Sequence, residues 1–505
     1  MKEIALTGVS GSMGYATFLE LLKKSDICSL SVLVRPSKKN IKKFKAYIPT
    51  TIKIAEIKTG FVTDFNGVKI VWGDIRNLEN VKELIKDASM IINMAAIIPP
   101  QALVRKKIVD DVNIGGVKNI LTAIEEKNAS ETMKFVTISS LAVYGDRLPP
   151  CHNIKIGDPV YTSIGDFYGL TKIFAERLVI ESGLKYWAII RQTFITIADL
   201  FSLLDPLMFQ QPIQQCLEPV TWRDAGFGMS NLVEVPEDFW RKIYNMSGGE
   251  KNRFVYHEFV AKMFELFGLN LYKCMDRKWF ALRNFHCGYF ATEDAERLNK
   301  YTHHIRDTFD DYFEVVKQNT PKILKLSKIA PSPIVKFFLR FYAKTRLWAK
   351  NPEKYGKIYN AYYGKDVDWN SIPNWNVDMP VIGEPKEILL GYTRKEDGIY
   401  SINDMKELAE FRGGECLSCE FVDMYTPLKW KCHCGCEFSA TPMLVTDGGH
   451  FCPDCQPPKW NYGEVCKKNK FLAQVYYEQF SKDDMTVYSE KEMLTQKDYK
   501  DANLF

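Results

Sequence analysis

The sequence predicts an α/β protein with a doubly wound parallel sheet and a small cysteine-rich module near its C-terminal end. Short apolar segments of strand length alternate with amphipathic helical segments through the first 195 residues. A glycine-rich turn follows the first of these strands directly. The module is predicted by a cluster of thiols, because seven of the thirteen cysteines lie between Cys416 and Cys455.

Composition narrows the class of protein. The 505 residues are 46% apolar and 26% charged, with a formal net charge of +5, which is typical of a globular protein and does not indicate nucleic acid or a membrane as a partner. No segment approaches the run of about 20 apolar residues that a membrane span needs. The N-terminal segment lacks the features of a signal peptide. We therefore expect a cytoplasmic protein, in which clustered thiols bind metal instead of forming disulfides.

The strands and helices of the first 195 residues follow from these alternating segments. Because the strand segments are apolar throughout, we expect helices to cover both faces of the sheet. The predicted strands are EIALTG, SLSVLVR, VKIVWGD, SMIINMAA, KFVTISS and YWAIIRQ, and the predicted helices are YATFLELLKK, NVKELIKD and VKNILTAIEEK.

The turn TGVSGSMG lies between the first strand and the first helix. Its glycines permit a tight turn and a close approach of the backbone to a pyrophosphate. The following helix offers free N–H groups and the positive end of its dipole to that anion. The turn therefore predicts a dinucleotide site, with these candidate cofactor-binding residues: Gly8, Ser10, Gly11, Ser12, Met13 and Gly14.

Two further motifs carry residues suited to proton transfer. ISSLAVYGD contains Ser139 and Ser140, and YGLTK contains Tyr168 and Lys172. A tyrosine and a lysine four residues apart lie on one face of a helix. A nearby ammonium group favours the phenolate and lowers the tyrosine pKa from about 10. We expect Tyr168 to exchange a proton with the substrate when a carbonyl and an alcohol interconvert.

These motifs resemble, in kind and order, the extended short-chain dehydrogenase/reductase family of the NAD-dependent epimerase/dehydratase type. The resemblance covers roughly residues 1–320 and includes GDI, NMAA, VNIGGVKNIL, S-x-x-V-Y-G and the later EPVTWRDAGFGMSNLVE. It implies a Rossmann-type fold, with Ser140 holding the substrate oxygen beside Tyr168 and Lys172. The cofactor contacts that it adds are Asp74, Ile75, Ala95, Ala96, Tyr168, Lys172 and Thr193.

With this resemblance the chain divides into four segments. Residues 1–195 are expected to bind a nicotinamide nucleotide, and residues 196–320 to form a small α/β substrate-binding region. A helical connector and linker is expected over 321–400, and the cysteine module with a C-terminal tail over 401–505. We expect residues 1–320 to fold and to bind nucleotide without help from the module.

The loop after the second strand bears on the choice of nicotinamide. Enzymes of this type that prefer NAD place a carboxylate there to bind the adenosine 2′-hydroxyl. Here the end of the strand and the loop read VLVRPSKKN, in which the loop begins with Arg35 and contains no carboxylate. Since a guanidinium can pair with a 2′-phosphate, the sequence favours NADP(H) over NAD(H).

The sequence favours one type of reaction and leaves two alternatives open. Family members that dehydrate sugar nucleotides carry an acidic pair where this chain has Leu141 and Ala142, so elimination is disfavoured. The sequence favours an NAD(P)(H)-dependent oxidoreductase acting on a carbonyl or alcohol. A nucleotide-sugar epimerase with tightly bound NAD and a binding protein that senses the cofactor remain as alternatives.

The expected partners follow from the substrate region and the charge. The segment DLFSLLDPLMFQQPI is rich in apolar residues, which suits an apolar small-molecule substrate and equally suits ordinary core. A further copy of the chain is the other partner considered. Neither a membrane nor nucleic acid is expected.

The cysteines near the C-terminal end have the spacing C-x2-C-x12-C-x-C-x-C-x15-C-x2-C. Paired thiolates of this kind can surround one Zn²⁺ tetrahedrally, and the segment resembles zinc-ribbon and treble-clef modules. The resemblance selects Cys432, Cys436, Cys452 and Cys455, with Cys434 as the competitor for Cys436. Cys416 and Cys419 complete a second site or none. Four thiolates leave no open coordination position, so we expect a structural zinc.

Overall fold

The computed structural model describes residues 2–99, 101–148, 153–197, 206–286, 288–320, 333–337, 359–365, 367–375, 386, 388–395, 397–455 and 459–489. Most of the predicted connector and the last part of the predicted tail lie outside these residues. So do residues 199–205 of the apolar segment in the substrate region. No helix in the described part has both the length and the apolar character to cross a membrane.

An eight-stranded sheet forms the centre of the fold. Its strands are β1 (Lys2–Thr7), β2 (Cys28–Val34), β3 (Phe61–Phe65), β4 (Val68–Trp72), β5 (Met90–Asn93), β6 (Lys134–Ser140), β7 (Tyr186–Gln192) and β11 (Lys242–Met246). They are ordered β11-β7-β6-β5-β1-β2-β4-β3, and every neighbouring pair is parallel except β3 with β4. The order reverses direction between β1 and β5, which is the switch point where doubly wound sheets bind ligands.

Helices cover both faces of this sheet, as the apolar strands predicted. Those of the first 320 residues are α1 (Ser12–Leu22), α2 (Lys38–Lys43), α3 (Leu78–Ile85), α4 (Gln101–Val104), α5 (Lys106–Asn113), α6 (Gly115–Glu126), α7 (Phe167–Ile180), α8 (Trp222–Asn231), α9 (Tyr256–Leu266), α10 (Leu271–Cys274), α11 (Thr292–Thr302) and α12 (Phe309–Asn319). One buried apolar cluster contains residues of α3, α6 and α7, and another contains residues of α1 and α8. The predicted fold class, a Rossmann-type α/β sheet, is therefore confirmed.

The sheet differs from the prediction at both edges. The antiparallel strand β3 was not predicted, because its pattern FVTDF is short and half polar. At the other edge, β11 pairs in parallel with β7, although the sequence analysis assigned it to the substrate region. The strand alternation alone could not distinguish a seventh parallel strand from a strand of a second layer.

Four short strands complete the region after β7. β8 (Ile195–Thr196) pairs with β10 (Val220–Thr221), and β9 (Cys216–Leu217) pairs with β12 (Phe254–Val255). A third apolar cluster lies here, with aromatic side chains from α9 and α12 stacked on one another.

The cysteine module contains a three-stranded antiparallel sheet. Its strands are Gly414–Cys416, Leu428–Cys432 and Glu437–Ala440, preceded by the helix Ile402–Phe411 and followed by the short helix Pro442–Val445. The turn between the second and third strands contains Gly435 at φ +89°, a conformation that glycine adopts without strain. Two more short helices, Tyr462–Cys466 and Lys470–Tyr476, come after the cysteines.

The module shares its core with the sheet domain, which differs from the independent folding that we expected. Leu408, Trp430 and Leu444 of the module lie in the same buried cluster as Val179 and Trp187 of the sheet domain. The sequence could not predict this shared cluster, because apolar residues in a module do not indicate which surface they pack against.

Hydrogen bonds also join the cysteine module to the sheet domain. Arg412, which is fully buried, donates hydrogen bonds to the carbonyl groups of Val445 and His450 and reaches that of Gly157 at 3.4 Å. Further along the chain, the Tyr462 hydroxyl donates to the carbonyl of Thr162 at 2.6 Å. The module and the segment after it therefore contact the loop that leads into α7.

Candidate functional site

The glycine turn has the geometry that close contact with a phosphate requires. Gly8 has φ +71°, and a Cβ there would lie 2.5 Å from the backbone of Met94. A Cβ at Gly14 would lie 2.4 Å from the carbonyl oxygen of Gly8. Helix α1 begins at Ser12 with no side chain capping it, so its first N–H groups are available to an anion. Ser10, Gly11 and Met13 belong to the same turn.

Basic residues surround the end of β2 next to this turn. Arg35 follows β2 directly and is exposed, and Ser37 caps α2. The Lys43 ammonium group donates to the carbonyl of Ser10 at 3.0 Å and lies 3.8 Å from the ring centre of Tyr15. Burial and the charge of Lys39 lower the pKa of Lys43. A cation is therefore fixed beside the glycine turn itself.

The other candidate cofactor residues lie at the carboxyl ends of neighbouring strands. Asp74 and Ile75 follow β4, and burial alone would raise the Asp74 pKa, but hydrogen bonds from Arg76 and its charge hold that pKa below its usual range. Ala95 and Ala96 follow β5, where the Ala95 amide donates to the Thr7 hydroxyl at 3.3 Å.

Thr193 follows β7. Its amide donates to the carbonyl of Met246 at 3.0 Å. Its buried hydroxyl has no hydrogen-bond partner in the described part of the chain.

The candidate catalytic side chains meet where β6 ends. Ser140 closes β6 and accepts a hydrogen bond from the amide of Ala142 at 3.1 Å. Asp166 caps α7 by accepting from the amide of Gly169 at 2.9 Å, which fixes the first turn of that helix. One turn apart on α7, Tyr168 and Lys172 are both buried, and the Lys172 ammonium group donates to the carbonyl of Ile138 at 2.7 Å.

The pKa of Tyr168 differs from the expectation. Burial raises the pKa of Tyr168 to about 12, although an interaction with Ser140 opposes the rise. Burial also lowers the pKa of Lys172 to about 8, against the charge of Glu176. The expected lowering of the tyrosine pKa by the ammonium group is therefore wrong for this structure, because both groups lose hydration and Lys172 points to a backbone carbonyl.

A buried ionic network lies directly behind these residues, and the sequence analysis missed it. The Glu176 carboxylate accepts hydrogen bonds from Ser139, from Arg191 at 2.6 and 3.0 Å, and from His450 at 3.2 Å. Burial would raise the pKa of Glu176, but the charge of Arg191 and the hydrogen bonds lower it to about 2. Arg191 also donates to the Tyr144 hydroxyl at 2.8 Å.

Two signals in the sequence could have indicated part of this network. Glu176 lies four residues after Lys172 on a largely apolar helix, and Arg191 interrupts an apolar strand. A carboxylate and a guanidinium in such positions are rarely buried unless they are paired. Nothing in the sequence indicated that the third partner, His450, would come from the cysteine module.

A cleft of about 660 Å³ lies elsewhere, between the sheet domain and the segment before the module. Its lining comprises Lys155, Ile156, Lys242, Glu293, Asp294, Arg297, Lys300, Tyr301, Leu390, Thr393 and Arg394. None of the candidate catalytic residues is among them, so this cleft is not the candidate active site.

Four of the five candidate metal ligands come together. The sulfur atoms of Cys432, Cys434, Cys452 and Cys455 all lie within 4.8 Å of one another. The sulfur atoms of Cys432 and Cys455 are 3.6 Å apart, and so are those of Cys434 and Cys452. Since zinc–thiolate bonds are about 2.3 Å long, a tetrahedral site has sulfur atoms about 3.8 Å apart, and this donor set fits such an ion.

The fourth position of this group differs from the alignment that the resemblance suggested. Cys434 belongs to the group, whereas Cys436, the first choice, does not. The Cys436 sulfur lies 3.8 Å from the carbonyl oxygen of Glu437. Among the described residues, Cys416 and Cys419 belong to no second group of three or more metal-binding side chains.

Comparison with known proteins finds one family model that matches the first part of the chain. The model of the NAD-dependent epimerase/dehydratase family matches residues 4–203. No match was found among the curated proteins.

Solved structures similar to this chain include three enzymes. A dTDP-glucose 4,6-dehydratase from Bacillus anthracis str. Ames is 16% identical over 63% of this chain and 96% of its own, with a TM-score of 0.48. A UDP-glucuronic acid 4-epimerase from Bacillus cereus is 16% identical over 63% and 100%, with a TM-score of 0.47. The dTDP-glucose 4,6-dehydratase DesIV from Streptomyces venezuelae, as a double mutant, is 14% identical over 63% and 96%, with a TM-score of 0.48.

Proposed function

We propose that this chain is an NAD(P)(H)-dependent oxidoreductase acting on a carbonyl or alcohol, and the match of residues 4–203 to the NAD-dependent epimerase/dehydratase family model supports this. One observation carries the proposal: Ser140, Tyr168 and Lys172 meet at the carboxyl end of β6, on the same edge of the sheet as the glycine turn. A nicotinamide bound there would supply or accept the hydride.

The side chains have separate roles in this proposal. Ser140 donates a hydrogen bond to the substrate oxygen, and Tyr168 exchanges a proton with it. A phenol whose pKa is about 12 is protonated at neutral pH, so it is ready to donate a proton to a carbonyl undergoing reduction. Lys172 holds the end of β6 through the carbonyl of Ile138 and places a positive charge beside the phenol.

We further propose that the cofactor is NADP(H). Its pyrophosphate would contact the turn from Gly8 to Gly14. Arg35 and the fixed ammonium group of Lys43 support this choice, because both supply positive charge near the end of β2, where a 2′-phosphate would lie. No carboxylate occupies the positions directly after β2.

A structural zinc held by Cys432, Cys434, Cys452 and Cys455 completes the proposal. With four thiolates as ligands the ion keeps no open position for water or substrate. Its role would be to fold the module.

Substitution of the tyrosine tests the proposed reaction. Tyr168→Phe removes the proton donor and little else, so NADPH oxidation with octanal or benzaldehyde should fall by about a hundredfold or more while NADPH affinity is kept. Tyr186→Phe on β7 is the control and should change neither. Unchanged turnover in Tyr168→Phe would remove this residue from the mechanism.

The family description also favours a second function, a nucleotide-sugar epimerase that retains NAD. Two measurements distinguish these functions: identification of the nucleotide that copurifies with the chain, and an assay of the reaction that it catalyses. An epimerase would release NAD on denaturation and would interconvert UDP-glucose and UDP-galactose without net oxidation of NADPH.

A further inference from the structure

His450 reaches from the cysteine module into the sheet domain and contacts Glu176. The two side chains are each 1% exposed, and the His450 Nε2 to Glu176 Oε2 distance is 3.2 Å. This histidine lies two residues before Cys452, one of the four clustered thiols. The candidate metal cluster and the region behind the candidate active site are therefore separated by only two residues of chain.

Glu176 lies between two elements that carry the candidate catalytic groups. It follows Lys172 by four residues on α7, and its carboxylate influences the pKa of Lys172. On the other side it accepts a hydrogen bond from Ser139, the neighbour of Ser140. The position of one carboxylate thus affects the end of β6 and the face of α7 together.

The loop that carries His450 is fixed from several directions. Arg191 donates to the carbonyl of Gly448 at 2.7 Å, and the amide of Val160 donates to the carbonyl of Gly449 at 3.0 Å. Arg177 on α7 reaches the carbonyl of Phe451 at 3.4 Å. A Cβ at Gly449 would lie 2.1 Å from the carbonyl oxygen of Asp158, so the loop packs closely against the backbone at this point.

We propose that His450 is a positioning residue for the active site, acting through Glu176 on Ser140 and Lys172, and that the metal-bound thiol cluster holds it there. This inference rests on the proposed function, since it assigns a role in that same reaction. A buried carboxylate that loses one of its donors moves or recruits water, because an unsatisfied charge is costly to bury. A displaced Ser140 then binds the substrate oxygen less well, and a displaced Lys172 no longer places its charge 5.8 Å from the ring centre of Tyr168.

Substitutions at position 450 test the inference. His450→Gln keeps an N–H donor at a similar reach, whereas His450→Asn is polar but too short, and His450→Leu has no donor. We expect the Asn and Leu variants to lose about 10- to 100-fold in kcat for NADPH oxidation with octanal or benzaldehyde, the range typical of misplaced catalytic groups. The Kd for NADPH should be unchanged, and the Gln variant should recover most of kcat.

Zinc content and hydrogen exchange complete the experiment. All three variants should keep the zinc content of the wild type, and exchange of amides in residues 138–144 and 167–180 should rise in Asn and Leu but not in Gln. Lys429→Ala, on the exposed face of the module sheet, is the control and should behave as the wild type. Removing zinc with a chelator should reproduce the exchange pattern of His450→Leu.

Two results would overturn the inference: equal kcat in the wild type and His450→Asn with zinc retained, or unchanged exchange in residues 138–144 and 167–180. A wild type that turns over neither probe counts against the proposed function instead. In that case the exchange measurement alone decides the role of His450, so the two failures can be told apart.

Discussion

Tyr168 and Lys172 show how burial sets the proton chemistry of single side chains. The phenol pKa rises to about 12 and the ammonium pKa falls to about 8 because both groups have lost water. At neutral pH the phenol is protonated, and a lysine with a pKa of about 8 is mostly protonated as well. The pair in this state suits reduction of a carbonyl, in which the enzyme gives a proton to the product.

At the same scale, Arg35 should determine the choice of nicotinamide. Arg35→Asp exchanges a phosphate partner for a hydroxyl acceptor, so the ratio of kcat/KM for NADPH to that for NADH should fall by about 10- to 100-fold, as expected for loss of a charge-assisted hydrogen bond. Lys53→Asp makes the same change of charge at an exposed position outside this loop and is the control. A wild type that already prefers NADH would contradict the cofactor proposal.

Among the elements of the fold, the glycine turn depends on space as well as on backbone conformation. Gly8 and Gly60 both have positive φ, but only a Cβ at Gly8 would meet other atoms, at 2.5 Å from Met94. A side chain at either position would therefore strain the backbone, but of the two only a side chain at Gly8 would also clash with neighbouring atoms.

Alanine substitution should separate these two effects. Gly8→Ala should move the turn away from β5 and abolish measurable NADPH binding, while Gly60→Ala should cost about 1–2 kcal/mol of unfolding free energy from strain and leave binding intact. Isothermal titration and thermal unfolding measure the two quantities. Equal NADPH affinity in both variants would show that the turn does not depend on this close approach.

The hairpin of the cysteine module offers a matched pair of thiols. Cys434 and Cys436 flank Gly435, and only Cys434 lies among the clustered sulfur atoms. Cys434→Ser should therefore lose zinc, whereas Cys436→Ser should retain about one ion per chain, the content that we expect of the wild type. Metal analysis of the purified variants measures this. Retention in Cys434→Ser with loss in Cys436→Ser would restore the ligand set that the sequence alone suggested.

These elements show where the sequence was informative. Local patterns predicted the parallel strands, the glycine turn and the placement of Tyr168 and Lys172 one turn apart on a helix, because each depends on residues close together in the chain. The choice between Cys434 and Cys436 depends on how a hairpin turns, which a spacing does not specify. The contact of His450 with Glu176 joins residues 274 positions apart, and no local pattern contains such a pair.

For the whole molecule, the shared core joins the cysteine module to the sheet domain. Residues of the helix Ile402–Phe411 and of the module sheet lie in one buried cluster with residues of α6, α7 and β7. Because these residues share one buried cluster, we expect the two parts to stabilise each other.

Truncation tests this dependence. A chain ending at residue 400 should lose the cluster contacts of α7, unfold at a lower temperature and bind NADPH more weakly, because apolar surface that was buried is returned to water. A chain ending at residue 489 keeps all of the described module and is the control. If the shorter chain keeps the unfolding temperature and NADPH affinity of the control, the two parts fold independently.

The shared core also has a consequence for synthesis on the ribosome. Translation delivers the sheet strands and α7 first, and the module residues that share a buried cluster with Val179 and Trp187 emerge only after more than 200 further residues have been added. During that interval the nascent chain exposes an apolar face that attracts chaperones or other nascent chains. Production of this protein should therefore depend on slow growth or chaperone supply more strongly than a reductase of 320 residues would.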